Sequence, residues 1–185
     1  GQERWAWTDR LERAVELARP GCARVESMEG IVLAGLDETL REMLLARLKN
    51  RLKQLDWRDA DRQVITIEHE LGVDSVAPYG KYRFMTWEDV RRLRSMGIEI
   101  GAHTVNHAIL SRVSAAEARR EILESRSAIE AELGACSSTF CYPNGRRQDI
   151  SEAAMDICRE SFDAALSAMH GSANIRDRFD IRRVG

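Results

Sequence analysis

His103 and His107, in the run Glu99-Ile100-Gly101-Ala102-His103-Thr104-Val105-Asn106-His107, are the residues of this chain best suited to chemistry. Neutral imidazole is a good ligand for zinc and similar ions, and two imidazoles carried by one strand-to-loop corner can point at a single ion. The spacing alone also fits two unrelated polar residues, one buried and hydrogen-bonded, the other solvated. On a helix, His-x-x-x-His would suit a metalloprotease, but that motif needs Glu directly after the first His, and Thr104 stands there. The flanking residues say what must position the pair. Ile98, Ile100 and Ala102 alternate with Glu99, Gly101 and His103, which predicts a short buried strand. His103 then ends the strand and His107 lies in the turn beyond it. In parallel α/β folds that end of a strand is where sites are built.

Two halves of the chain differ in pattern. From Trp5 to Val76 the sequence is mostly helical. Leu11, Ala14, Val15 and Ala18 make one apolar face, stopped by Arg19-Pro20-Gly21. Val25 to Leu33 is short and β-like, broken at Glu29-Gly30, as in a small hairpin. Thr39 to Leu55 predicts an amphipathic helix, with Leu40, Met43, Leu44, Leu48, Leu52 and Leu55 on one stripe. Arg58 to Leu71 predicts another, with Glu68-His69-Glu70 on its solvated face. Gly72 to Gly80 is a linker, so residues 1–80 read as one helical segment and 81–185 as a second region.

From Lys81 onward helix and strand alternate. Thr86 caps a helix whose apolar side is Val90, Leu93 and Met96, ended by Gly97. Ser114-Ala115-Ala116-Glu117 is a capping box. It opens a helix with Ala118, Ile122, Ile129 and Leu133 inward, ended by Gly134. Ser138–Tyr142, Phe162–Leu166 and Phe179–Val184 read as strands, and Ile150–Glu160 as a helix. Such alternation with short loops implies parallel strands in a barrel or an open α/β sheet.

Composition narrows the class. The chain has 185 residues, 44% hydrophobic and 31% charged, which suits a globular domain with a real core. A net charge of −2 gives no support to nucleic-acid binding, and no apolar run approaches a membrane span. The four cysteines, Cys22, Cys136, Cys141 and Cys158, form no Cys-x-x-Cys pair. Reduced thiols and a cytoplasmic setting are the expectation. Nothing here fixes an oligomeric state.

The run His103-Thr104-Val105-Asn106-His107 resembles the His-Ser/Thr-x-x-His motif of the polysaccharide deacetylase family, the NodB homology domain. Phe140-Cys141-Tyr142-Pro143-Asn144-Gly145 resembles the family's next motif, an aromatic strand ending in Pro-x-Gly. Phe84-Met85-Thr86-Trp87-Glu88-Asp89 before a helix, then Met96-Gly97 and the His strand, is also typical of the family. The resemblance extends from Phe84 to Val184. It implies a partial or distorted (β/α)7 barrel, with residues 1–80 as a helical insertion of the kind expected in bacterial members linked to exopolysaccharide production.

The resemblance also implies an activity. This is metal-dependent hydrolysis of N-acetyl or O-acetyl groups on a polysaccharide or amino sugar, with Zn2+ or, failing that, Co2+ or Mn2+. His103 and His107 would be two metal ligands. The backbone N–H of Asn144 would donate to the oxyanion, Pro143 and Gly145 would shape its turn, and Thr104 would brace its neighbours by hydrogen bonds. In isolation Pro143-Asn144-Gly145 reads simply as a turn.

Departures from the family pattern are equally specific. The family's Thr-Phe-Asp-Asp motif supplies the base and the third ligand, and no Asp-Asp pair occurs in this chain. No general base is therefore assigned. Asp74, Asp89 and Asp149 read as linker, helix-start and loop residues rather than stand-ins. Cys141 occupies the place of a base-orienting Arg, and no His follows Ile181-Arg182-Arg183, where a catalytic acid is usual. The expectation is a fragment, or a domain whose first strands were lost, inactive alone. The rival readings are a non-catalytic carbohydrate-binding or assembly module, and a helical interaction module fused to a barrel remnant.

Overall fold

The computed structural model describes residues 6–18, 24–32, 37–73, 84–135, 137–171 and 177–183. Arg19-Pro20-Gly21, Cys22, Leu33, Asp74 with the linker up to Gly80, Cys136 and Val184 lie outside these, as does the side chain of Leu40. The chain divides into two compact units, Gly1–Phe84 and Met85–Gly185.

In the first unit, helix α1 (Trp7–Leu17) buries Leu11, Ala14 and Val15, one turn apart on a single face. Strands β1 (Arg24–Val25) and β2 (Ile31–Val32) form the antiparallel hairpin, pairing Val25 with Ile31. Glu29 and Gly30 turn the chain with φ of 66° and 67°. Helix α2 (Glu38–Leu52) contributes Leu48 and Leu52 to the core, with Leu44 and Leu45 packed against it. The expected stripe is therefore narrower. Met43 sits a helical step off the Leu44–Leu48–Leu52 line and is 63% exposed. Leu55 falls beyond the helix end, in a turn closed by its N–H on the Leu52 carbonyl at 3.0 Å.

Helix α3 (Trp57–Glu70) is capped by Asp56, whose carboxylate accepts from the Arg58 N–H at 2.8 Å. It buries Ala60, Val64 and Ile67. Its end corrects the reading of Glu68-His69-Glu70 as a solvated face. Glu68 is buried, because the Arg10 guanidinium from α1 clasps it, donating from Nε at 3.0 Å and from Nη2. The same guanidinium reaches buried Asp61 at 3.0 Å. Glu70 accepts from the N–H and hydroxyl of Ser27 at 2.9 and 2.8 Å, so His69 alone of the three is exposed.

In the second unit, Thr86 and Asp89 close a reciprocal capping box on helix α4 (Trp87–Ser95). None of the α4 residues is fully buried. Met96, expected inside, is 69% exposed where the helix ends at Gly97 (φ 87°). Helix α5 (Ala115–Leu133) starts on Ser114, whose hydroxyl accepts from the Glu117 N–H, and stops at left-handed Gly134. Strands β3 (Thr139–Cys141), β4 (Ala164–His170) and β5 (Ile181–Arg183) form a parallel sheet in the order β3-β4-β5. Helix α6 (Glu152–Ser161), capped by Ser151, connects β3 to β4. The unit is thus mixed α/β. Its core gathers Phe140, Tyr142 and Phe162, with ring centroids 5.4 and 5.3 Å apart, against Ala118 and Ile122 of α5 and Ala154 and Cys158 of α6. Burial pushes the Cys158 thiol up to about 12. No described helix is long and apolar enough to cross a membrane.

The expected strand over Ile98–His103 forms at one residue only. Ala102 pairs with Phe140, donating to the Thr139 carbonyl at 2.9 Å and accepting from the Cys141 N–H at 2.8 Å. Its partner β3 is three residues long, so little ladder is on offer. The Ile100 carbonyl accepts instead from the Ser137 hydroxyl at 3.2 Å, and Ile98 is 47% exposed.

Candidate active site

Ala102 and β3 run parallel, so the segments that follow them leave the same carboxyl end of the strands. One carries His103 through His107. The other carries Pro143-Asn144-Gly145. They meet where His103 Nδ1 lies 2.6 Å from the Cys141 carbonyl oxygen. A carbonyl only accepts, so Nδ1 holds the proton and the neutral ring presents Nε2 as its basic nitrogen. This is the arrangement that orients a ligating histidine.

The two imidazoles converge. Their centroids are 4.8 Å apart with planes 73° from parallel. The chain gains this closeness through unusual backbone. Thr104 and His107 both have positive φ, 64° and 54°. Left-handed conformation is costly for a β-branched residue, and such strain persists only where the surroundings over-determine it. Thr104 does not brace the loop as expected. Its hydroxyl oxygen is buried and has no hydrogen-bond partner among the described residues.

The bracing comes from a residue that sequence reasoning missed. Glu121 on α5 is fully buried, and its carboxylate accepts from the Val105 N–H (3.0 Å), the Asn106 N–H (2.8 Å) and the Asn106 side-chain amide (2.6 Å). Arg120 approaches the same carboxylate at 3.4 Å. A signal was present, because Glu121 falls among Ala118, Ile122, Ser125 and Ile129 on the inward face of α5. The loop's return is held by buried Ala108, Ile109 and Leu110.

The second segment is built similarly. Asn144 and Gly145 are both left-handed, with φ of 62° and 63°. The Asn144 amide donates to the buried Asp149 carboxylate at 2.7 Å. The Asp149 carbonyl accepts from the Ser111 N–H at 3.0 Å, which ties this turn to the loop after His107. Gly145 permits a close approach of the turn to the sheet. Its carbonyl accepts from the Ala168 N–H of β4 at 2.9 Å, and an added Cβ would lie 2.8 Å from the Ala168 Cβ.

A catalytic zinc ordinarily takes three protein ligands and keeps one position open. The donor set fits two of those ligands. Among the described residues no group of three His, Cys, Asp or Glu side chains is placed to hold an ion. Asp149 serves Asn144 and Asp89 serves Thr86. The cleft of about 290 Å³ beside Ile98, Ile100, Leu133 and Ser137 lies at the opposite ends of the strands and includes neither histidine.

The sequence matches the polysaccharide deacetylase family over residues 60–158, just over half of the chain. The match thus takes in the end of the helical segment as well as the motif region. A solved Streptococcus pyogenes deacetylase, PplD in complex with acetate, is similar at 20% identity and a TM-score of 0.51, over 57% of this chain and 46% of its own. A solved de-N-acetylase from Aggregatibacter actinomycetemcomitans is 18% identical with a TM-score of 0.44, over 60% of this chain and 54% of its own. The chain therefore spans about half the length of each. No curated protein gives a significant match. The likeness to the first structure is one of fold, and the match over residues 60–158 carries the conclusion that the chain belongs to the polysaccharide deacetylase family.

Proposed function

We propose that this domain hydrolyses acetyl groups, N-linked or O-linked, on a polysaccharide or amino sugar, using a divalent cation held by His103 and His107. Zn2+ is the first expectation and Co2+ or Mn2+ the alternatives. The observation that carries the reading is the convergence of two imidazoles 4.8 Å apart at the carboxyl end of the strands, one with its tautomer set by a backbone carbonyl. When bound, such an ion supplies Lewis acidity and a nucleophilic water at neutral pH. His103 and His107 orient it. The Asn144 N–H, in its left-handed turn, donates to the oxygen that becomes negative as the amide is attacked. No third ligand and no proton-transfer group is assigned among the described residues. In this reading residues 81–185 are the later part of a distorted (β/α)7 barrel and residues 1–80 a helical insertion.

A second reading, a non-catalytic carbohydrate-binding or assembly module, is favoured by one observation: no third metal donor stands near the pair among the described residues.

The test compares bound metal, acetate release from N-acetylglucosamine oligomers and thermal midpoint for the complete domain and its His107→Ala variant. His107 is exposed, so the midpoint should hold. Bound metal should be lost and acetate release should fall about 10²-fold or more, matching the several kcal/mol a Lewis acid contributes. Unchanged metal content and activity would remove His107 from the site. Oligomer binding without any acetate release by the complete domain would establish the second reading instead.

A further inference from the structure

The histidine loop is not self-supporting. Its two ends, Thr104 and His107, are both left-handed, and the residues between them, Val105 and Asn106, make a corner with no ladder partner among the described residues. Backbone N–H groups at such a corner need an acceptor. Both find the same one. Oε2 of Glu121 accepts from the Val105 and Asn106 N–H groups at 3.0 and 2.8 Å, and Oε1 accepts from the Asn106 side chain at 2.6 Å. A fully buried carboxylate is costly to desolvate, and its retention is intelligible only if every lone pair is used. Here two oxygens take three loop donors, and the Arg120 guanidinium adds charge from the protein surface.

We propose that Glu121 is the positioning residue of the histidine pair: it pins Val105 and Asn106 to α5 and thereby aims His107 at His103. The proposal rests on the deacetylase reading for its consequence, but not for its geometry. Glu121 touches neither imidazole in any bond described above. It acts through the corner between them, and α5 is the rigid element from which the corner is hung. Helix-mounted support of this kind fixes a site more tightly than loop-to-loop contacts.

The same logic prescribes a complementary exchange. In Glu121→Gln the Oε atom still accepts from both backbone N–H groups, but the new amide faces the Asn106 amide donor to donor. Pairing it with Asn106→Asp restores an acceptor opposite that amide. A merely structural role for Glu121 predicts lower stability in the single variant and nothing specific at the histidines of the protein that remains folded.

The experiment records amide hydrogen exchange at Val105 and Asn106 and the ring proton resonances of His103 and His107, well below the thermal midpoint, for the protein, Glu121→Gln, Glu121→Ala and the Glu121→Gln/Asn106→Asp pair. Co2+ titration with visible spectroscopy follows on each, in the complete domain. Glu121→Ala should lose roughly tenfold or more of the protection at both amides and move the His107 resonances toward solvated values. The double exchange should recover most of both. Co2+ affinity should fall about 10- to 100-fold in Glu121→Ala, the scale seen when supports of metal ligands are removed. Unchanged exchange and ring resonances in folded Glu121→Ala, or in folded Glu121→Gln where the alanine does not fold, would overturn the proposal. Absence of Co2+ binding by the complete domain would instead count against the deacetylase reading, with the role of Glu121 still decided by exchange and ring resonances.

Discussion

Both units of this chain bury carboxylates, yet the carboxylates do different things. In the unit Gly1–Phe84, Asp61 and Glu68 of α3 meet the Arg10 guanidinium of α1. All partners stand on helices, and the result is helix held to helix. In the unit Met85–Gly185, Glu121 and Asp149 meet amide groups of loops. The loops they hold carry Thr104, His107 and Asn144, three of the four non-glycine residues with positive φ among the described residues. The fourth, Glu29, sits in a hairpin turn with ordinary local closure. The lesson is that a buried charge marks either a seam or a shaped loop, and that the partner decides which. Only the loop-facing kind stands beside the histidines.

The contrast can be broken most forcefully at Arg10. Replacing it by Met removes the guanidinium that both buried carboxylates meet, and removal of one partner from such a buried group typically costs about 3–5 kcal/mol. Chemical denaturation should show that loss, while the ring resonances of His103 and His107 stay in place. Coupled movement of those resonances would erase the distinction between seam and loop support.

A smaller effect is expected at Asp149. In Asp149→Ala the Asn144 amide loses a charged acceptor, a change of about 1.5–3 kcal/mol. Denaturation measures the cost, and the Asn144 side-chain amide resonances should shift and exchange faster. Resonances at their original positions would show that the left-handed turn holds itself.

The smallest effect belongs to Thr86, which serves an exposed helix and no loop of the site. Thr86→Ala removes one N-cap, worth about 1 kcal/mol. Faster amide exchange confined to the first turn of α4 is the expected sign. A response at Val105 or Asn106 would tie α4 to the histidine loop and redraw the comparison.

Much of this was legible in the amino-acid order because its signals are local. Thr86 with Asp89, Ser114 and Gly134 mark helix ends within four residues of themselves. The His-x-x-x-His and Pro-x-Gly runs are equally compact. What the order did not reveal depends on partners far along the chain. Ile98 and Ile100 alternate like strand residues, but β3 is too short to pair with them. Glu121 falls on the inward face of α5, but its acceptors' partners are legible only once the loop at Val105 is known to lie over it. Gly145 reads as a turn residue, and its need for no side chain follows only from β4 passing beside it.

The bond between His103 and the Cys141 carbonyl has a consequence for tolerance to change. Its acceptor belongs to the peptide group, so no choice of side chain at position 141 can delete it. The hydrogen bond is indifferent to whether Cys, Arg or another residue stands there. It is instead a gauge of alignment. A one-residue slip between Ala102 and β3 would carry the carbonyl out of reach and would also move buried Ala102 off Phe140, so the ring and the core would register the slip together.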